Sequence, residues 1–174
     1  MASKPPTRNP NQSFPDSEHL FRRVRQENLK RDGKPTLFAF ELPDMSVNRE
    51  RFGTAEEARS GFDQQQWGVA AFLVMDIPPR VAWTHLAQVY NLLPRHIPTN
   101  SNFAHTEVRV RRWVENELVL ITHRTTADFD DGDPDRNAQS GLPGALLDPD
   151  FHMRWRKHIA KASTAVVLPM ELPG

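Results

Sequence analysis

The 174 residues suffice for one domain with its own core, and the 22 basic and 22 acidic side chains cancel. This balance argues against a dedicated DNA or membrane-surface binder, and the absence of cysteine excludes disulfides and Cys-ligated zinc. No run approaches the roughly 18 apolar residues of a membrane span, and no secretory signal is recognisable at the start. We therefore expect a cytoplasmic protein without membrane contact.

The first 30 residues divide into a tail and a basic segment. Residues 1–15 are rich in Pro, Asn, Ser and Gln, which predicts a flexible, disordered N-terminal tail before a single domain over 16–174. The basic segment suits a helix capped by Asp16 and ended by Gly33, although a strand over Leu20–Val24 is the alternative. Three of its arginines are candidate phosphate-binding residues: Arg22, Arg23 and Arg25.

Short elements are expected between residues 36 and 66. Alternating apolar residues over 36–42 predict a strand that Pro43 ends, and 44–49 then form an irregular connection. Thr54 and Glu57 have the spacing of a capping box, which predicts a short helix to about Phe62. The three glutamines at 64–66 suit a polar turn.

The longest apolar run covers Gly68–Ile77 and predicts a buried central strand. Pro78 and Pro79 force the chain out of it. Apolar residues from Val81 to Leu93 then recur at helical spacing, so a helix ending at Pro94 is expected. The Pro- and Asn-containing residues 94–102 suit a loop.

The clearest β pattern is a hairpin formed by 103–114 and 117–126, with Glu115 and Asn116 as its turn. In this register Val114 faces Glu117, and the aliphatic side chains turn toward the core. A slip of one residue would bury two arginines and a glutamate and expose five aliphatic side chains, each worth about 1.5–3 kcal/mol when buried. The predicted core face carries Val108, Val110, Val114, Val119 and Ile121.

The opposite face of the hairpin holds the one set of side chains suited to chemistry: His105, Glu107, Arg109 and Arg124. A glutamate that accepts a ribose hydroxyl proton, a histidine that protonates the leaving oxygen and arginines that stabilise the phosphorane would form a metal-independent phosphodiester enzyme. Arg111 and Trp113 share this face and are candidate binding residues. A merely solvated sheet face would have the same composition.

The last third begins with an acidic loop over 128–144. Its aspartates, among them Asp128 and Asp135, invite comparison with a calcium loop, but Gly132 comes one place too early and no closing glutamate follows. We therefore predict no metal site. A helix capped by Asp150, with an inner stripe of Phe151, Trp155, Ile159 and Ala162, precedes a terminal strand over 163–168.

Together these elements predict an α+β fold, with a mainly antiparallel sheet and helices packed on one face. Phosphate-loop, dinucleotide, zinc-protease and nucleophile-elbow motifs are absent, and no cofactor is expected. The first functional hypothesis is a non-enzymatic interaction module within a larger complex, with a protein partner at the hairpin's polar face or the basic last helix. The alternatives are a ribonuclease-like or nucleotide-ribose enzyme and an RNA-binding protein. Oligomeric state is not predicted.

Overall fold

The computed structural model describes residues 13–83, 87–129, 133, 135 and 147–170. Within these ranges eight strands form one antiparallel sheet and two α-helices accompany it. The strands are β1 His19–Arg25, β2 Met45–Arg49, β3 Trp67–Leu73, β4 Arg80–Trp83, β5 Gln88–His96, β6 His105–Val114, β7 Glu117–Ile121 and β8 Thr164–Val167. The helices are α1 Ala55–Arg59 and α2 Pro149–Ala162. Neither described helix is long and apolar enough to cross a membrane.

The sheet runs in the order β4-β5-β6-β2-β1-β3-β8, and β7 is an additional partner of β6. One edge of β6 pairs with β5 along most of its length. The other edge is shared, because β2 pairs with residues 105–108 and β7 with residues 110–114. Arg109 therefore lies where β2 gives way to β7.

The predicted hairpin is confirmed with its register. Val114 pairs with Glu117, and the turn residues Glu115 and Asn116 have φ angles of 48° and 72°. A two-residue turn with both φ angles positive has the twist that joins adjacent antiparallel strands. Of the five predicted core residues, Val108, Val110 and Ile121 are fully buried, whereas Val114 and Val119 near the turn are only half-buried.

The two faces of the sheet pack against different helices. Leu20, Ala70 and Phe72 belong to the large core that includes Phe151 and Trp155 of α2. Their neighbours in β1 and β3 point the other way, into a small cluster with Ala58 of α1: Phe21, Val69 and Ala71. We call these the α2 face and the α1 face. The sequence led us to expect both helices on one face, but they pack on opposite faces, because β3 is apolar on both sides and Phe21 of β1 adds to the α1 face.

Two segments predicted as helical are strands. Residues 19–25 form β1, which confirms the alternative prediction of a strand over Leu20–Val24. The helix predicted between Pro79 and Leu93 is wrong, because β4 and β5 form a hairpin there. The helical spacing was misleading, because the buried side chains alternate along two strands instead: Trp83 on β4, and Tyr90 and Leu92 on β5, all belong to the core on the α2 face. Pro94 is tolerated inside β5 because β4 pairs only with residues 88–91, which leaves an open edge beyond them.

Three further predictions around residues 36–102 need correction. The expected strand over 36–42 is a 3-10 turn at Leu37–Ala39, and the expected irregular segment 44–49 contains β2. The expected loop 94–102 begins later, because β5 continues to His96. For β2 and for the end of β5, pairing with other strands rather than local propensity decided the conformation.

Other predictions are confirmed. Thr54 and Glu57 form the capping box of α1, although the helix ends at Arg59. The apolar run forms the buried strand β3, although β3 ends at Leu73 and lies next to the edge strand β8 rather than at the centre of the sheet. A Cβ at Gly68 would lie 2.6 Å from the Val167 carbonyl oxygen, so the glycine lets β8 approach. The inner stripe of α2 is buried at three of its four positions, with Ala162 exposed instead. Its N-cap is Asp148 rather than Asp150, because Pro149 occupies the first helical position.

Candidate functional site

The α1 face of β6 carries the ionisable side chains singled out from the sequence. Residues of odd number in β6 share this face, so His105, Glu107 and Arg109 line up along it, and Ser46 of β2 is paired with Glu107. Arg124 reaches the same place from the segment that follows β7. The structure thus brings together the four residues predicted as a set.

Glu107 lies at the centre and is 2% exposed. Its Oε2 accepts hydrogen bonds from Arg109 Nε and Nη2, at 3.1 and 3.0 Å, and from Arg124 Nη1 at 2.9 Å. Its Oε1 accepts from Arg124 Nη2 at 2.5 Å. Both carboxylate oxygens are therefore occupied by guanidinium donors.

Arg109 is 1% exposed and is enclosed by acidic groups. Asp133 binds it with both carboxylate oxygens, each at 2.7 Å, and Asp135 Oδ2 lies 2.6 Å from Nη1. Burial opposes the charge of Arg109, but the hydrogen bonds to Asp133 and Asp135 and the charge of Glu107 outweigh it and raise the pKa of Arg109. Arg109 is thus a structural cation, and the loop considered for calcium supplies its counterions.

Arg111 and Arg124 extend this network toward the surface. Arg111 Nη2 forms an ion pair with Asp135 Oδ1, and Arg124 remains partly exposed. Burial also opposes the charge of Arg124, yet its hydrogen bonds to Glu107 prevail and raise its pKa. We call Glu107, Arg109, Arg111, Arg124, Asp133 and Asp135 the buried ion network.

His105 is the one member of the predicted set with a geometry suited to proton transfer. Its Nδ1 lies 2.9 Å from the Ile97 carbonyl oxygen, so Nδ1 carries a proton and donates it. In the neutral ring Nε2 then accepts from Ser46 Oγ at 2.8 Å, while Glu107 Oε1 is 4.0 Å away. The arrangement can hold the Ser46 hydroxyl, and both side chains are half-buried. From the sequence we expected Ser46 to lie in the irregular connection 44–49, because the strand β2 was not predicted.

The predicted binding residues fall into two groups. Arg22 donates to the Ser46 carbonyl oxygen at 2.8 Å and to that of Ala39 at 3.3 Å, so its guanidinium stabilises the backbone between β1 and β2. Arg111 belongs to the buried ion network. Arg23 and Arg25 instead lie over aromatic rings, and Trp113 is exposed near the hairpin turn.

Arg23 borders a polar cavity of about 470 Å³ between α1 and the segment before β6. Its guanidinium carbon lies 4.0 Å from the centre of the Phe62 ring, and burial lowers the pKa of Arg23. The amide of Asn102 donates to Asn48 Oδ1 at 2.8 Å across the same cavity. The site combines an arginine, amides and aromatic rings, which are groups that bind bases and phosphates.

No cluster of three or more potential ligands for a metal ion is present in the described part of the chain. Asp128 accepts hydrogen bonds from the backbone N–H and the hydroxyl of Thr125, at 2.6 and 2.9 Å, and Asp133 and Asp135 bind arginines.

Asp130 and Asp131 of the acidic loop, and residues 1–12 of the predicted tail, lie outside the described residues. Ser13 and Phe14, also assigned to the tail, contact Arg49.

Comparisons of the chain with models of protein families, with curated proteins and with solved structures find no significant match.

The enzyme hypothesis makes a direct prediction at this site. If His105 and Glu107 catalyse phosphodiester cleavage, purified wild-type protein degrades total RNA, and His105→Ala and Glu107→Ala each reduce the rate by about 100-fold or more. RNA integrity on denaturing gels measures this, with His19→Ala as a control outside the site. Intact RNA after prolonged incubation with the wild-type protein would end the hypothesis.

Proposed function

We propose that the protein is a non-enzymatic binding module that acts within a larger complex and contacts an acidic protein partner through α2. The observation that carries this proposal is a stripe of exposed cations on α2: Arg154, Lys157 and Lys161. Their spacings of three and four residues place them on one side of the helix. No carboxylate of the described residues forms an ion pair with any of them.

A contrast with three arginines that lie in or beside the sheet supports this choice. Arg49, Arg109 and Arg124 are matched by carboxylates within the fold, whereas the stripe on α2 is left for solvent or a partner. The candidate catalytic carboxylate and its arginine are held in mutual ion pairs, which disfavours chemistry at that position. Complementary charge mainly increases the rate of association and the specificity for the correct partner. The basic stripe therefore suits a protein partner with an acidic surface.

Charge reversal tests the proposal. Lys157→Glu combined with Lys161→Glu is expected to abolish capture of partners from the native source, because the like charges then repel an acidic surface. Lys30→Glu with Arg31→Glu makes the same change in net charge at exposed positions away from α2 and should leave capture intact. Pull-down with size-exclusion and light scattering measures both. A wild-type protein that always runs alone and captures nothing would contradict the proposal.

A single-stranded RNA binder is the second candidate, favoured by two arginine–aromatic pairs whose arginines both lie on β1. Arg23 lies over Phe62 and Arg25 over Trp67, with ring distances of 4.0 and 5.1 Å. Such pairs form platforms on which bases stack beside a cation. This candidate predicts affinity that falls steeply with salt and drops about tenfold in Arg23→Ala. Fluorescence anisotropy with a labelled oligonucleotide measures it, and absent or salt-insensitive binding would reject it.

A further inference from the structure

A second cavity, separate from the ion network, lies between β4 and α2. It has a volume of about 380 Å³, which is within the usual range for small-ligand sites. Its walls are largely apolar, with Val81 and Trp83 on β4 and Phe151 and Trp155 on α2. Arg154 and His158, one helical turn apart, supply the polar side chains. An apolar cavity with few polar groups is the common form of a small-molecule site.

The charge at this cavity is unbalanced. The guanidinium carbon of Arg154 lies 4.7 Å from the centre of the Trp83 ring, and no carboxylate of the described residues pairs with it. His158 Nε2 lies 3.0 Å from the Asp76 carbonyl oxygen, so it donates there and adds no negative charge. A cation fixed over an aromatic wall is suited to an anionic group on a ligand that also has an apolar part.

We infer that the cavity between β4 and α2 binds a small carboxylic acid with a bulky apolar body. The apolar body packs against Trp83, Phe151 and Trp155, and the carboxylate meets the Arg154 guanidinium. This inference goes beyond the proposed function and does not depend on it, because the ligand is a free small molecule rather than a protein surface.

Three probes of matched size or charge test the inference. We expect 3-phenylpropionate to bind the full chain with a Kd of about 1 mM or below, measured by tryptophan fluorescence and calorimetry. 3-Phenylpropanamide, which lacks the charge, should bind about tenfold more weakly, and acetate, which lacks the apolar body, should not bind. No saturable binding of 3-phenylpropionate, or equal binding of the amide, would overturn the inference.

Variants locate the binding. Arg154→Gln should weaken 3-phenylpropionate about tenfold, whereas Lys157→Gln, on the same helix but outside the cavity, should not. Val81→Phe, on the α2 face of β4, should fill the cavity and abolish binding, and a thermal melt checks that this variant is folded. An equal loss in Lys157→Gln, or unchanged binding in a folded Val81→Phe protein, would place the ligand elsewhere and refute the assignment.

Discussion

Arg109→Met is expected to destabilise the fold by about 3–5 kcal/mol, because it removes the cation of a buried network and leaves its carboxylates uncompensated. Arg109 is bound by Glu107, Asp133 and Asp135, and all four side chains are at most 3% exposed. Methionine occupies a similar volume, so the loss reflects charge and hydrogen bonds rather than a cavity. Urea unfolding at neutral pH gives the free energy of unfolding.

Two further variants make the Arg109 measurement specific. Arg31→Met makes the same chemical change at an exposed position and should alter the free energy of unfolding by at most about 0.5 kcal/mol. Arg109→Lys keeps the charge but cannot bind Asp133 through two parallel hydrogen bonds, so an intermediate loss is expected. If Arg109→Met costs no more than Arg31→Met, the network does not hold the acidic loop against β6.

The second large effect is a loss of stability as the pH falls from about 6.5 to about 4. Burial, reinforced by Arg49 and His105, lowers the pKa of His96 to about 4. Burial and Arg156 lower the pKa of His152 to about 4. Below pH 6.5 the unfolded chain therefore binds protons that the folded protein does not, and stability falls with pH. Below about 4 both states are protonated and these residues cause no further loss.

The surroundings of the His96 and His152 side chains explain why each imidazole ring stays neutral in the folded protein. His96 packs against Phe52 and Phe103, with ring centroids 4.8 and 5.5 Å away, and its Nε2 is buried without a partner. His152 Nε2 accepts a hydrogen bond from the Leu42 backbone N–H at 3.0 Å, which protonation would break. Both charged forms are therefore disfavoured in the fold.

Replacement of the two rings should flatten the pH dependence. His96→Phe keeps a planar ring, and His152→Gln keeps an acceptor for Leu42, while neither new side chain titrates. Together they should remove a loss of about 2–4 kcal/mol between pH 6.5 and 4, measured by urea unfolding across that interval. His19→Gln is the control, at an exposed surface ion pair. An unchanged slope in the double variant would show that these histidines do not titrate as described.

The sequence alone determined the β6–β7 hairpin and much of the terminal region. The hairpin depends on local alternation and a two-residue turn, and the capping box of α1 and the inner stripe of α2 are equally local patterns. The predicted contact between Glu107 and Arg124 is present, but Arg124 makes it from the segment after β7 rather than across the hairpin. Short-range geometry is enough for such features, because each partner lies within a few residues or directly across one turn.

Only the tertiary structure decided what covers the polar face of the hairpin. Asp133 and Asp135 bind Arg109 from more than 20 residues away, and this changes an apparent catalytic surface into a buried ion network. The same holds for β1 and β2, whose backbone hydrogen bonds are satisfied by strands distant in sequence. Local propensity is weak beside the cost of unpaired buried groups, so long-range pairing fixed these conformations and placed Ser46 beside His105.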